Sequence, residues 1–209
     1  MQLLIATTNQ GKLSEYREIF AGLPFELRDL RDAGVAEAIP ETGDSFEANA
    51  LIKASGYARI TGMLTLADDS GLEVASLGGA PGIQSARFGG PGLTDRQRNE
   101  LLLERLREVP FSDRAARFVC SIAIAAPDGP TESVEASLMG VIDFAPHGAN
   151  GFGYDPIFFV VDEGKTMAEL SPERKNRISH RARAAEGARA ILARWLTPSA
   201  QVIHTGHNE

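Results

Sequence analysis

Apolar residues open the chain as Leu3, Leu4 and Ile5, give way to a polar stretch from Thr7 to Lys12, and return at helical spacing as Leu13, Tyr16 and Phe20. This pattern predicts a strand, a loop and a helix. A second helix is predicted from DSFE, with Asp44 capping and Glu47 reaching back to it. It sets Leu51, Ala54 and Ala58 on one face and Phe46, Asn49 and Lys53 on another. Leu64 to Ala67 reads as a buried strand that delivers Asp68 and Asp69 at its end, followed by a turn at Ser70 and Gly71. Beyond a Gly and Pro rich loop, Thr94 and Gln97 form a capping box for a helix through Leu102, Leu106 and Val109, ending near Pro110. Strands from Arg117 to Ala125 and from Glu132 to Ile142 flank a turn at Pro127, Asp128 and Gly129 and predict a hairpin. PIFFV supplies one more strand, and a last helix from Ser179 to Leu196 aligns Ala184, Ala188, Ile191 and Trp195.

A βα start and a later hairpin imply an α/β fold, with a mixed β-sheet flanked by helices and a cleft where polar loops leave strand ends. One domain is expected over residues 1–196, with residues 197–209 as a mobile tail too polar to bury. His204 and His207 fall in that tail, where no supporting shell for a metal is expected. Of 209 residues, 43% are hydrophobic and 23% charged, the balance of a soluble globular chain. A single cysteine, Cys120, excludes an internal disulfide, and its neighbours FVCSIAIA mark it as a core residue of a strand. With no long apolar run and no basic start to MQLLIA, a cytoplasmic protein without a membrane span is expected.

The net charge of -7 argues against a nucleic-acid partner. The charge is uneven, however. Lys165 to Arg194 holds eight Lys and Arg against three Glu. That segment reads either as a solvated basic face or as a local attraction for a small polyanion.

Several segments can carry chemistry. TTNQGK joins a strand to a helix, so backbone NH groups at the helix start can cradle phosphate while Lys12 adds a charge; a polar turn capped by Asn9 explains the same residues. It is no Walker loop, because the early glycine is missing and Leu13 replaces the magnesium-binding Ser or Thr. Adjacent Asp68 and Asp69 repel unless a cation or hydrogen-bond donors compensate, which leaves a metal site, with Glu41 as a second acid, or an Asx-turn. In GFGYDP, Phe152 lies between two glycines, free to approach a flat ligand or to pack on the core. Ser179, His180 and Arg181 open the last helix.

Taken in order, IATTNQGK, ETGDSFEANALIKA, ADDSGLEV, GGAPGIQSARF, NGFGYDPIFF and AELSPERKNRISHRARA resemble the inosine and xanthosine triphosphate pyrophosphatase family, over residues 3 to about 190. The resemblance implies a two-lobed fold with a central nucleotide cleft. It implies a house-cleaning hydrolase that converts ITP, dITP and XTP to monophosphate and pyrophosphate, keeping them out of DNA and RNA. Mg2+ as cofactor and a homodimer are implied with it. On that resemblance Thr7, Thr8, Asn9, Gln10, Gly11 and Lys12 match the triphosphate loop, and Lys53 a further phosphate contact. Glu41 and Asp69 match the magnesium ligands, Asp69 being also the catalytic base, with Asp68 and Ser70 beside it. Phe152, Gly153, Tyr154 and Asp155 match the base and sugar pocket, and Lys175, His180, Arg181 and also Arg87 the remaining contacts. Ala48 and His147 depart from the family's usual residues, and Gln84 occupies a variable place. Two alternatives stay open: a septum-inhibitor type pyrophosphatase, and a nucleotide sensor, which would have no need of Glu41 and Asp69 together.

Overall fold

The computed structural model describes residues 1–196, so the expected tail and its two histidines lie outside the described residues. Seven strands form one mixed sheet, β1 (Gln2–Ile5), β2 (Glu26–Asp29), β3 (Thr65–Val74), β4 (Ala115–Ala125), β5 (Thr131–Ile142), β6 (Phe158–Val160) and β7 (Lys165–Thr166). Their order is β2-β1-β3-β4-β5-β6-β7, with β1 parallel to β2 and β3 and every other pair antiparallel. Among the described residues five α-helices accompany it: α1 (Gln10–Ile19), α2 (Phe46–Thr61), α3 (Asp95–Arg105), α4 (Pro172–Ile178) and α5 (His180–Leu196).

Period-two alternation divides the apolar residues between the sheet's faces. Leu3, Ile5, Leu66, Ile122 and Ile124 pack with α1 and α5, while Leu4, Ala6, Ala67, Ala123 and Ala125 meet the small-residue face of α2. Alanines dominate that second layer, so α2 can lie close to the strands. A third core, from Leu72, Val74, Phe118, Leu138 and Phe158 with Leu102 of α3 and Leu106 at its C-terminal cap, fills the other lobe. The long β3, β4 and β5 run through both lobes and hold them in one register. The predicted hairpin is β4–β5, and Thr94 and Gln97 form the predicted capping box at α3.

Four local expectations are corrected. Ser45, not Asp44, caps α2 and accepts from the Ala48 amide, while Glu47 accepts from Ser133 on β5 instead of reaching back. β3 does not end at Asp69: Ser70 pairs with Cys120 and Gly71 with Val119, so the expected turn is strand. Gly71 answers to packing, since a Cβ there would lie 2.7 Å from the Gly82 carbonyl oxygen and 2.9 Å from the Phe46 ring. The Thr7 to Lys12 loop is shorter than expected because α1 already begins at Gln10. Finally, the basic stretch before α5 contains a helix of its own, α4, capped by Ser171 with Pro172 in its first turn. It buries Lys175 and has no apolar stripe to announce it.

Candidate functional site

A cleft of about 560 Å³ gathers most of the residues singled out above: Thr7, Thr8, Asn9 and Lys12; Glu41 and Lys53; Asp69 and Ser70; Phe152 to Asp155; and Lys175, His180 and Arg181. Three stand apart from its wall. Gln10 borders a second depression of about 420 Å³, on the other side of Thr7 and Thr8. Gly11 backs Phe152, whose Cδ1 would lie 2.5 Å from any Cβ at that position, so only glycine lets the ring sit on the first turn of α1. Asp68 is sealed beneath the cleft.

The cap expected at Asn9 is present. Asn9 accepts from the Lys12 amide at 3.0 Å, and Thr7 Oγ1 accepts from the Asn9 amide at 3.2 Å. Asn9 therefore fixes the start of α1, and the positive end of that helix meets the cleft.

Strand geometry resolves the paired aspartates. Consecutive residues of β3 point to opposite faces, so Asp68 and Asp69 never confront each other. Asp68 turns toward α1 and α5, where Lys12 Nζ lies 2.9 Å and Arg181 3.5 Å from Oδ2. Burial alone would raise its pKa, but Lys12, Arg181 and Lys53 hold it well below the usual carboxylate range. Asp69 turns toward α2. Asn49 donates to it at 3.1 Å, the Ser70 amide at 3.1 Å, and Lys53 Nζ stands 3.6 Å away. Burial raises the pKa of Asp69, Glu41 adds to the rise, and Lys53 and Lys12 oppose it. Lys53 also binds Glu41 Oε1 at 2.7 Å and the Asp68 carbonyl at 2.7 Å. Asp69 does bond the Ser70 backbone, as the Asx reading expected, but within a strand that runs on to Val74 and makes no turn there.

Behind the cleft lies an ion chain that the sequence did not disclose. Glu15 of α1 receives Arg181 and, at 2.7 Å, Lys175; Lys175 also binds Asp155, which accepts from the Phe152 amide at 2.9 Å. Burial pushes Glu15 up, yet Arg181 and Lys175 bring its pKa below the ordinary glutamate value. Charges thus alternate from Lys12 through Asp68, Arg181, Glu15 and Lys175 to Asp155, tying the first turn of α1 to the Phe152 loop. On α1, Glu15 reads as one more surface acid, and only the docking of α4 and α5 buries it.

The Phe152 loop is clamped from the far lobe as well. Asp95 accepts from the Gly153 amide at 2.8 Å, Asn99 donates to the Gly153 carbonyl at 3.1 Å, and the Tyr154 hydroxyl donates to the Ser85 carbonyl at 2.9 Å. Asp95 and Asn99 belong to α3, for which the sequence offers only a capping box and an apolar face. Lys175 Nζ stands 4.7 Å from the centroid of the Phe152 ring, within cation–π range.

The Ham1 family model matches residues 3–191. The chain belongs to the Ham1 family. Relatives of the same length class agree with this membership: dITP/XTP pyrophosphatase of Bacillus licheniformis is 46% identical over 191 residues, covering 91% of this chain and 97% of that one. A dITP/XTP pyrophosphatase of Thermus thermophilus is 50% identical over 193 residues, with 92% and 90% covered. Among solved structures, a HAM1 protein from Coxiella burnetii superposes with a TM-score of 0.84 at 40% identity, covering 93% and 99% of the two chains.

In this Ham1 chain the basic segment is not one solvated face. Arg174 pairs with Glu163 and Arg194 with Glu132, while Lys175 and Arg181 are buried at the cleft. Cys120 is fully buried and its thiol is pushed up to about 12, as expected of a core residue. Trp195 packs on the core and donates to Glu132 at 2.6 Å. Among the described residues no helix is long and apolar enough to cross a membrane.

His180 stacks on Phe118, with centroids 4.7 Å apart and planes 14° from parallel. Burial first, then Arg181, Lys175 and Lys12, hold its pKa well below the ordinary histidine value, against the pull of Asp68. The folded protein therefore binds fewer protons here than the unfolded chain. Stability from this group is complete above the unfolded pKa of about 6.5 and falls as pH drops below it, by at most about 1.4 kcal/mol per pH unit. We predict that melting temperature declines from pH 7 to 5.5 and that His180→Gln flattens the decline. An equal slope in both proteins would remove His180 as its source.

Proposed function

We propose that this chain hydrolyses ITP, dITP and XTP to the nucleoside monophosphate and pyrophosphate. The observation that carries the reading is Asp69, a carboxylate of raised pKa that enters the cleft beside Glu41 and Lys53. Such a carboxylate is suited to accept a proton from water.

The donor set fits magnesium. Glu41 Oε1 and Asp69 Oδ1 converge on one cationic group, at 2.7 and 3.6 Å from Lys53 Nζ. No third His, Cys, Asp or Glu is grouped with them among the described residues. Two carboxylates suit an ion that keeps waters and takes phosphate oxygens. Glu41 and Asp69 would hold it, and when bound it neutralises charge on the triphosphate.

The protein's own groups supply the rest. Lys12, Lys53 and the start of α1 hold the phosphates in line. Phe152 offers a stacking face for the base, and the Asp95 and Asn99 clamp fixes its loop. A water beside Asp69 attacks the α-phosphorus, its proton passes to the Asp69 carboxylate, and pyrophosphate leaves. The substrates belong to the free nucleotide pool, so the reaction is assigned to the cytoplasm. We assign the working form as a homodimer, by kinship with its family.

Hydrolysis of ITP in oxygen-18 water with magnesium tests the reaction. Label is expected in the monophosphate and absent from pyrophosphate. Label in pyrophosphate moves the attack to the β-phosphorus, and orthophosphate as first product makes the enzyme a phosphatase. Binding of ITP without product would favour the sensor.

A further inference from the structure

Glu41 has both carboxylate oxygens occupied by cations of the protein itself. Lys53 takes Oε1 at 2.7 Å, and both terminal nitrogens of Arg87 stand 3.3 Å from Oε2. A divalent cation at Glu41 must compete with one of them.

The two pairs are unequal. Lys53 has a side chain only 12% exposed and is fixed in addition by the Asp68 carbonyl. Arg87 is 54% exposed, lies on a 3-10 turn from Gly82 to Arg87, and has as its other partner Gln84 of the same turn, at 3.4 Å. Exposed ion pairs are weak, so Arg87 yields first. Its position also differs from that of the other cations lining the cleft. Lys12 is bound to buried Asp68, Lys175 to Glu15 and Asp155, Arg181 to Glu15 and Asp68, and Arg98 to Asp95. Unlike Lys53, which shares Glu41 but is also held by Asp69 and the Asp68 carbonyl, Arg87 has the proposed metal ligand Glu41 as its one carboxylate partner among the described residues. Engagement of Glu41 by a divalent ion therefore leaves a guanidinium without a counter-ion at the wall of the cleft. A guanidinium so placed is suited to two-pronged recognition of phosphate.

We propose that Arg87 is a displaceable counter-ion of Glu41, which guards this carboxylate in the empty enzyme and transfers to the pyrophosphate portion of the substrate once Glu41 turns to a divalent cation. The inference rests on the pyrophosphatase reading. It gives one side chain two effects of opposite sign: Arg87 opposes metal binding in the empty enzyme and favours binding of the polyphosphate.

The test uses the full chain and two probes, magnesium alone and inorganic pyrophosphate with magnesium, each titrated calorimetrically. In Arg87→Gln, magnesium alone is expected to bind about threefold more tightly, the scale of an exposed ion pair. Pyrophosphate is expected to bind about tenfold more weakly, and Arg87→Lys to recover part of that loss. In a Glu41→Gln background, Arg87→Gln should no longer change magnesium binding, since the competition has gone. Magnesium affinity that is unchanged or weakened in Arg87→Gln overturns the proposal, as does unchanged pyrophosphate affinity. Failure of the pyrophosphatase reading shows elsewhere, as wild-type protein that releases no pyrophosphate from ITP.

Discussion

Asp69→Asn is expected to lower kcat for ITP by about a thousandfold or more while ITP still binds. General base catalysis contributes roughly a hundred- to ten-thousandfold, and the same change takes one negative charge from a two-carboxylate metal site. The amide keeps the size of the side chain, and its one oxygen can still accept from either Asn49 or the Ser70 amide, which bond different oxygens of the Asp69 carboxylate, so one of the two contacts is kept. The fold should therefore survive. Asp68→Asn makes the informative comparison, because Asp68 lies on the opposite face of β3, buried against Lys12 and Arg181. Its loss should show in melting temperature, since breaking a buried ion pair costs about 3 to 5 kcal/mol. Asp69→Asn should show in turnover. Activity in Asp69→Asn above about a tenth of wild type would remove Asp69 from the role of base, since even the low end of that catalytic range is about a hundredfold.

Much of the frame was legible because it depends on local patterns. The first strand, the hairpin, the capping box at Thr94 and the last helix each bury a periodic apolar set. β2 was not legible: ELRD has no apolar run, and it forms as an edge strand because β1 offers a partner. α4 was missed for a similar reason, its one buried side chain being a lysine. Ser70 and Gly71 misled because their composition favours a turn, whereas a ten-residue ladder with β4 outweighs that preference.

The site shows the same division. Which residues meet in the cleft could be read from the ordered motifs, yet how Asp68 and Asp69 divide their work could not, because it depends on the parity of a strand whose extent was misjudged. Glu15, Asp95 and Asn99 act from helices that carried no chemical motif. Their partners are 54 to 166 residues away in sequence, so no local pattern records them.

The base-reading end makes the other large prediction: ATP is expected to be about ten-thousandfold poorer than ITP in kcat/KM. His180 Nδ1 and Arg181 Nε are buried without a partner, and both residues belong to the cleft wall. Arginine can only donate, so a 6-keto purine can relieve the unpaired group, whereas the 6-amino group of adenine sets donor against donor. Sites that leave buried polar groups unpaired reject the wrong ligand by that order. The choice of variant matters here. Arg181→Ala would leave Glu15 to Lys175 and Asp68 to Lys12, and breaking a buried ion pair costs about 3 to 5 kcal/mol, so lost activity could then reflect a damaged fold. Arg181→Lys keeps the positive charge for Glu15 and removes the Nε donor. His180→Phe keeps an aromatic ring against Phe118 and removes Nδ1. Each should narrow the ITP to ATP ratio by about tenfold or more, the worth of one hydrogen bond to a charged or buried group. Phe152→Ala should instead weaken every purine triphosphate alike, by roughly 1 to 3 kcal/mol, since stacking does not distinguish the 6 position. The measurement is the ratio of specificity constants in each variant. A ratio unchanged by both Arg181→Lys and His180→Phe would show that the base is read elsewhere in the cleft.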